Sequence, residues 1–286
     1  MPLHSAWKRR GAAVAAALWI SLTPSIGTAD IQIESSPDTA GVADLVRNQI
    51  SGLPRQVAQQ NARLAIGVTA FRTALDNDDG RPIIAAYLTS TEFSEALGGR
   101  ARPRHVTAVF SNPDPIDELT LARELVSHAR IAVFDSAAVH SLIPRLVERG
   151  VTAIPASPND GVDALLQRTG PFDVILVLPD PSIFNGMNIG HVVRTLYQQH
   201  KVIVGYSDTL TRVGSLASVY PSPDGMARST RGILEQYAAG RSLPDPLFVP
   251  NVDVSLNERL ARSLNIVLPD KQHLIQAIRA NRETLP

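Results

Sequence analysis

Short apolar runs alternate with longer amphipathic stretches along the chain from Asp30 onwards. Such alternation is typical of repeated strand–helix units around a buried parallel sheet. The pattern predicts strands at Ile31–Glu34, Leu64–Val68, Ile83–Leu88, His105–Phe110, Ile131–Phe134, Thr152–Pro155, Val174–Leu178, Val202–Tyr206, Ser215–Val219 and Leu247–Val249. Amphipathic stretches between the strands predict helices, the longer of them at Ala40–Ile50, Pro115–Ser127, Ala137–Glu148, Pro223–Ala239 and Lys271–Asn281.

This many strands favours two sheets of about five over one continuous sheet. The turn-rich segment Ser111–Ile116 interrupts the series, which starts again at Ile131, and a Pro-rich joint lies at Ser242–Pro250. The sequence therefore predicts an α/β fold with two Rossmann-like lobes, parallel sheets and a ligand cleft between the lobes. We expect residues 30–125 and 211–240 in the first lobe and residues 126–210 and 241–286 in the second. Crossings are expected near residues 112–128, 208–214 and 240–250.

The first 29 residues have the pattern of a cleavable signal peptide. Lys8–Arg10 are positive, the apolar run Gly11–Leu22 follows, and small residues end at Ala29. We predict cleavage after Ala29 and a mature chain that is periplasmic and not inserted in a membrane. The alternative is an uncleaved anchor, which the short apolar run disfavours.

Charge and cysteine content narrow the classes of partner. The full chain has 27 Lys+Arg and 27 Asp+Glu; three of the cations lie in the predicted signal peptide, so the mature chain is mildly acidic. That balance disfavours nucleic acid and anionic membranes as partners. The chain has no cysteine, which excludes both a disulfide framework and a lipid anchor on cysteine.

Small polar and acidic residues follow most of the predicted strands. In parallel α/β sheets the ligand lies beyond the carboxyl ends of the strands, so these residues are the candidate ligand-binding set. Each of them has an alternative role as a helix N-cap, worth about 1 kcal/mol. The set consists of Ser36, Thr69, Thr89, Ser90, Asp135, Ser136, Asp180 and Ser207.

Enzyme, metal and cofactor motifs are weak or missing. The segment Gly205–Thr209 is close to a G-x-S-x-G elbow around Ser207, but Thr209 replaces the last glycine and only His273 follows in the chain. The histidines lack H-E-x-x-H spacing, and the chain has neither G-x-G-x-x-G nor a P-loop sequence. We therefore expect no catalytic residues, no metal site, no cofactor and no enzymatic activity.

Several segments in order resemble one family. They are Gly67–Ala70, His105–Leu125, Asp173–Asn185, Val202–Ser207, Gly214–Tyr220 and Val254–Ile266, followed by Leu268 and Pro269. Together they resemble the substrate-binding proteins of ABC transporters, of the type associated with tryptophan and tyrosine. The resemblance implies the type I periplasmic-binding fold and ligand capture in a closing cleft, touched by Thr69, Asp135, Ser136, Asp180 and Ser207. It also implies that the first lobe is abbreviated, because few residues precede Leu64.

The predicted function is that of a periplasmic solute-binding protein for an ABC importer. Its partners would be a small molecule, such as an amino acid or a related compound, and an inner-membrane permease, and we expect a monomer. The alternative is a module of the same fold that senses a ligand or docks on a membrane receptor or sensor without serving transport.

Overall fold

The computed structural model describes residues 31–53, 61–157 and 159–283. The predicted signal peptide lies outside the described residues. Two separate sheets are present, each flanked by helices. The first sheet has the order β1-β2-β3-β4-β10 and is parallel throughout. Its strands are β1 Gln32–Ser35, β2 Arg63–Ile66, β3 Ile83–Leu88, β4 Val106–Phe110 and β10 Leu247–Phe248.

The second sheet has six strands in the order β11-β9-β8-β7-β5-β6. They are β5 Ile131–Asp135, β6 Thr152–Pro155, β7 Val174–Val177, β8 Val202–Gly205, β9 Ala217–Pro221 and β11 Val252–Leu256. Five of them are parallel, and β11 pairs antiparallel with β9 at the edge. This edge strand was missing from the sequence prediction. The strand has only five residues and lies between Pro250 and the helix that follows. Its alternation of apolar and polar side chains is too short to identify a strand from sequence.

Helices connect most of the strands. They are α1 Ala40–Ile50, α2 Val68–Asp76, α3 Ser90–Leu97, α4 Pro115–Leu125, α5 Ile143–Val147, α6 Val162–Arg168, α7 Ile189–Gln198, α8 Asp208–Val213, α9 Pro223–Ala238, α10 Glu258–Ser263 and α11 Lys271–Glu283. Short 3-10 turns at Pro37–Thr39 and His140–Leu142 precede α1 and α5. None of the helices in the described ranges is long and apolar enough to cross a membrane.

Each sheet has a hydrophobic core on both of its faces. Strands β2, β7 and β8 are buried at every residue, as expected of parallel strands covered by helices on both sides. Each sheet has one apolar cluster on each of its two faces, which makes four clusters among the described residues. Both lobes are therefore three-layered α/β/α units.

The lobe boundaries differ from those predicted. Helix α4, expected in the first lobe, packs on α11 and on strands β7 to β9 of the second. Strand β9 belongs to the second sheet and β10 to the first, the reverse of the prediction. Both errors have one cause: the chain changes lobe within a few residues, and hydrophobic pattern alone does not show to which sheet a strand pairs. Helix α9 does pack on α1, β3 and β4 of the first lobe.

In the part of the chain that the structure describes, three short crossings therefore join the lobes, between β4 and α4, between β9 and α9, and between β10 and β11. A hydrogen bond links the second and third crossings, because the N–H of Ser222 donates to the carbonyl of Asn251 at 3.4 Å. The first sheet keeps five strands, with β1 and α1 ahead of β2, although the resemblance implied a shortened first lobe.

Candidate functional site

The carboxyl ends of the two sheets face each other. Thr91, at the start of α3 after β3, donates through Oγ1 to the carbonyl of Pro179, which follows β7, at 2.7 Å. This hydrogen bond joins the two lobes directly. The segments that follow the strands therefore line the interface between the lobes, where parallel α/β proteins bind their ligands. We treat this interface as the candidate site.

Thr89 lies at the first-lobe side of the interface and caps α3. Its Oγ1 accepts from the backbone N–H of Glu92 at 3.2 Å, and Glu92 Oε2 accepts from the N–H of Thr89 at 2.7 Å, which completes a capping box. Thr89 Oγ1 also lies 2.9 Å from Thr91 Oγ1. The N-cap role considered for Thr89 is thus present, and through Thr91 the same residue is linked to the opposite lobe.

Ser90 has a buried hydroxyl without a partner. Its backbone N–H donates to Asn112 Oδ1 at 2.8 Å, which ties α3 to the first crossing. Only 7% of the residue is exposed, and no described residue hydrogen-bonds its Oγ. A buried polar atom without a partner is uncommon in folded proteins, so this hydroxyl is a group that a ligand could satisfy.

Ser36 and Thr69 follow β1 and β2, the strands that come before β3 in the order of the first sheet. Ser36 bonds to Thr39, whose Oγ1 donates to the carbonyl of Ile66 at 3.1 Å and so ties the two strand ends together. Thr69 is exposed on the first turn of α2. Gly67 precedes it with φ 84°, and a Cβ there would lie 2.9 Å from Thr39 Cγ2, so this turn needs glycine.

On the second lobe, Ser136 and Asp180 come together in a buried hydrogen-bonded cluster. Asp180 is 2% exposed, and its Oδ2 accepts from Ser136 Oγ at 2.5 Å. Its Oδ1 accepts from the backbone N–H of Ser182 at 2.9 Å and from Ser182 Oγ at 2.5 Å. The carboxylate therefore orders the turn after β7, and its remaining lone pairs are those available to a ligand.

Asp135 and Ser207 have local partners. Asp135 Oδ1 lies 2.8 Å from His140 Nδ1. Ser207 caps α8, because its Oγ accepts from the N–H of Leu210 at 3.4 Å. His273 contacts Glu124 at 3.3 Å on the outer helices α11 and α4. The structure thus gives Ser207 the geometry of a helix cap.

Glu118 and Tyr206 belong to the site but were not among the residues predicted from sequence. Burial raises the pKa of the Tyr206 hydroxyl to about 12, helped by the negative charges of Glu118, Glu92 and Asp180. Burial also raises the pKa of Glu118 well above that of an ordinary glutamate, and nearby Asp117 and Asp114 raise it further. One interface thus gathers carboxyl groups from both lobes around a tyrosine that stays neutral.

Two nearby arginines are already paired with carboxylates. Arg145 bonds Asp114 at 2.9 Å, and Arg282 holds Asp117 through two hydrogen bonds. Within the described ranges no group of three or more His, Cys, Asp or Glu is arranged to hold a metal ion. An interface of carboxyls and hydroxyls with its own cations paired is suited to a ligand that brings positive charge and hydrogen-bond donors.

Comparisons with sequences return nothing: no family model matches this chain, and no curated protein matches it. Solved structures do match. A ligand-free, open substrate-binding protein with adhesive properties from Clostridium difficile aligns with a TM-score of 0.63 and 14% identity over 85% of this chain and 96% of that one. An ABC domain in complex with L-Trp from Streptococcus pneumoniae gives 0.58 and 17% identity over 88% and 98%. A conserved domain protein from Vibrio cholerae gives 0.53 and 17% over 83% and 82%.

These likenesses confirm the predicted fold class and the resemblance to substrate-binding proteins of ABC transporters at the level of the fold. Identities of 14% and 17% establish the shared architecture, while ligand and partners have to be argued from the residues of this chain.

Proposed function

We propose that this chain is a periplasmic solute-binding protein that captures a small molecule between its lobes and delivers it to an inner-membrane ABC permease. The fold it shares with substrate-binding proteins supports this proposal. So does the signal-peptide pattern that ends at Ala29. After cleavage the mature chain would move freely in the periplasm and bind its ligand as a monomer.

The observation that carries the proposal is the interface itself. Strand ends of both lobes meet there, and hydroxyl and carboxyl side chains from each lobe face the same region. Three short crossings allow the lobes to separate as nearly rigid bodies, and ligand contacts from both sides would favour the closed state. The excess of carboxyl groups favours a ligand with a positively charged group, such as the ammonium of an amino acid or a related compound.

A thermal-shift screen of the mature chain tests the proposal. Amino acids, nucleosides, sugars and organic acids would be added singly to protein that begins at Asp30. A ligand at 100 times its dissociation constant stabilises the folded state by about 2.7 kcal/mol, which is a clear shift in melting temperature. We expect such a shift from a compound with an ammonium group. A screen without any shift would count against solute binding.

Asp180→Asn should weaken binding of the compound selected by that screen. The change keeps the shape of the side chain but removes a buried negative charge, so we expect about a 30-fold loss of affinity, or about 2 kcal/mol. The free energy of unfolding should change by about 1 kcal/mol, because an amide still accepts from the Ser182 N–H. Calorimetric titration and chemical denaturation measure the two quantities.

Asp163→Asn is the matched control, because Asp163 is an exposed carboxylate on α6 paired with His191. It should leave both affinity and stability unchanged. If Asp180→Asn lowered stability and left affinity as it was, Asp180 would be a turn-forming residue and would leave the proposed site.

A further inference from the structure

Glu118 occupies a core position on α4. With Leu121, Ala122 and Leu125 it forms the spacing i, i+3, i+4, i+7, which places all four on one face of the helix, and all four are buried. This helix packs on strands β7, β8 and β9. The other three members of the stripe are apolar, so Glu118 is a carboxyl group where the core pattern calls for a hydrocarbon side chain.

Glu118 lies at the cleft end of α4. The helix begins just after the first crossing, and its last residue, Leu125, is followed closely by the start of β5 at Ile131. It therefore runs from the carboxyl edge of the second sheet towards the amino edge, as helices in α/β units do. Its first turn, with Glu118, is close enough to Tyr206, which follows β8, for the Glu118 carboxylate to raise the pKa of the Tyr206 hydroxyl.

No residue of the described chain compensates this burial. Glu118 is 0% exposed, and neither carboxyl oxygen has a hydrogen-bond partner among the described residues. The two neighbouring carboxylates, in contrast to Glu118, have hydrogen-bond partners. Arg282 binds Asp117, and Asp114 accepts from Arg145 and from the N–H of Ile116. Leaving a carboxyl group buried and unpaired costs several kcal/mol, which proteins tolerate mainly at functional sites.

A second unpartnered group lies beside the same crossing. Ser90, on α3 of the opposite lobe, is bound to Asn112 through its backbone, while its buried hydroxyl has no partner. Thus each lobe contributes one buried polar side chain without a partner next to the residues that join the lobes. A ligand bound at this crossing would satisfy both unpartnered groups.

We propose that Glu118 is the residue that binds the ammonium group of the ligand and thereby selects for primary amines. This inference rests on the proposed solute-binding function and specifies the ligand class and the contact. Burial raises the pKa of Glu118, which favours the neutral carboxylic acid while no ligand is bound. On binding, its O–H bond breaks, the proton passes to solvent, and the carboxylate left behind pairs with the incoming ammonium, so one positive charge enters the site and one leaves it.

Other titratable or charged groups surround α4, and none of them offers Glu118 a free cation. On the helix, its N-cap and the elements that pack against it, they are Asp114, Asp117, Arg123, Glu124, Arg145, Tyr220, Lys271, His273, Arg279, Arg282 and Glu283. Glu92, Asp180 and Tyr206 act from the interface. Arg145, Lys271 and Arg282 are bound to other carboxylates, and Arg123 donates to the carbonyl of Arg149. Neither oxygen of Glu118 has a hydrogen-bond partner among the described residues, and Tyr206 stays neutral over the range of a binding experiment. Proton release on binding would therefore come from Glu118.

The experiment uses the mature chain and, as probes, the twenty common L-amino acids, each hit being paired with the acid in which hydrogen replaces its ammonium group. Titration calorimetry at several pH values, in buffers of different ionisation enthalpy, measures affinity and released protons. We expect the wild type to bind at least one amino acid, to reject its deaminated partner, and to gain affinity by up to tenfold per pH unit. In Glu118→Gln we expect at least a 30-fold loss of affinity and no proton release.

Two further variants make the result decisive. Glu118→Met removes the carboxyl group with an apolar side chain of similar length and should bind as poorly as Glu118→Gln, while Glu124→Gln, on the same helix and partly exposed, should bind like the wild type. Equal affinity of wild type and Glu118→Gln for every probe overturns the assignment, as does equal binding of the deaminated acids. Binding of only sugars or organic acids would keep the solute-binding function and overturn this inference; no binding by any compound would overturn both.

Discussion

Replacing Arg282 by methionine lowers the free energy of unfolding by about 3–5 kcal/mol, the largest effect that we expect from a change at one residue. Arg282, on α11, donates through Nε to Asp117 Oδ1 at 2.7 Å and through a second nitrogen to Oδ2. A third hydrogen bond, at 3.0 Å, reaches the carbonyl of Val249 at the third crossing. Without the guanidinium, Asp117, which is 1% exposed, would remain as an uncompensated buried charge. Urea denaturation at pH 7 measures the loss.

Arg262→Met is the control for that measurement, because Arg262 lies 3.6 Å from Glu258 with both side chains largely exposed, and it should change stability by less than about 0.5 kcal/mol. Adding Asp117→Asn to Arg282→Met should restore part of the loss by removing the buried charge. The loss should also shrink at acid pH, since burial raises the pKa of Asp117 and protonation neutralises it. A loss that is the same at all pH values would attribute the effect to packing.

Glu118→Gln raises the free energy of unfolding at neutral pH, by at most about 1.4 kcal/mol for each pH unit above the ordinary glutamate pKa. Burial raises the pKa of Glu118 in the folded chain, while in the unfolded chain it ionises near its usual value of about 4.5. Above that pH the unfolded state binds fewer protons than the folded state, so wild-type stability falls as pH rises. The fall is at most about 1.4 kcal/mol per pH unit and ends once pH passes the folded pKa. Glutamine does not ionise, so the variant does not lose stability in this way as pH rises.

The measurement is the free energy of unfolding of both proteins from pH 4 to pH 8. Below the ordinary glutamate pKa the two curves should lie close together, and above it they should diverge. Asp117, whose pKa is also raised by burial, is common to both proteins, so the difference between the curves isolates Glu118. Parallel curves would show that Glu118 has the same pKa in the folded and unfolded states. This test needs no ligand, so it is independent of the binding experiment.

The predicted fold class follows from patterns that local physics controls. Buried parallel strands such as Val174–Val177 are apolar at every residue, and the capping residues Thr89 and Ser222 mark helix starts. Such local patterns do not determine which distant strands pair with each other. Strand β10 joins β4 of the first sheet although it lies in the chain between β9 and β11, two strands of the second sheet, and only the folded structure shows this.

The candidate site was predictable in outline and not in detail. Strand-end residues were chosen because ligands bind at strand ends, and the structure brings Ser136 and Asp180 together but leaves Ser36 and Thr69 elsewhere along the edge. Glu118 was not predicted, because it lies within a helix and not at the end of a strand. A signal was present: a glutamate at the first position of an i, i+3, i+4, i+7 stripe whose other members are Leu121, Ala122 and Leu125.

The three crossings also decide how the molecule can be divided. Helix α9, which covers one face of the first sheet, and β10, which forms its edge, come from the chain between two strands of the second sheet. A fragment that ends at residue 114 would lack both and expose apolar residues such as Ile84 and Val109. A fragment that starts there would carry α9 and β10 with no sheet to join. Neither lobe can therefore be expressed as one continuous piece, and a single-lobe version would require joining distant segments by a new linker.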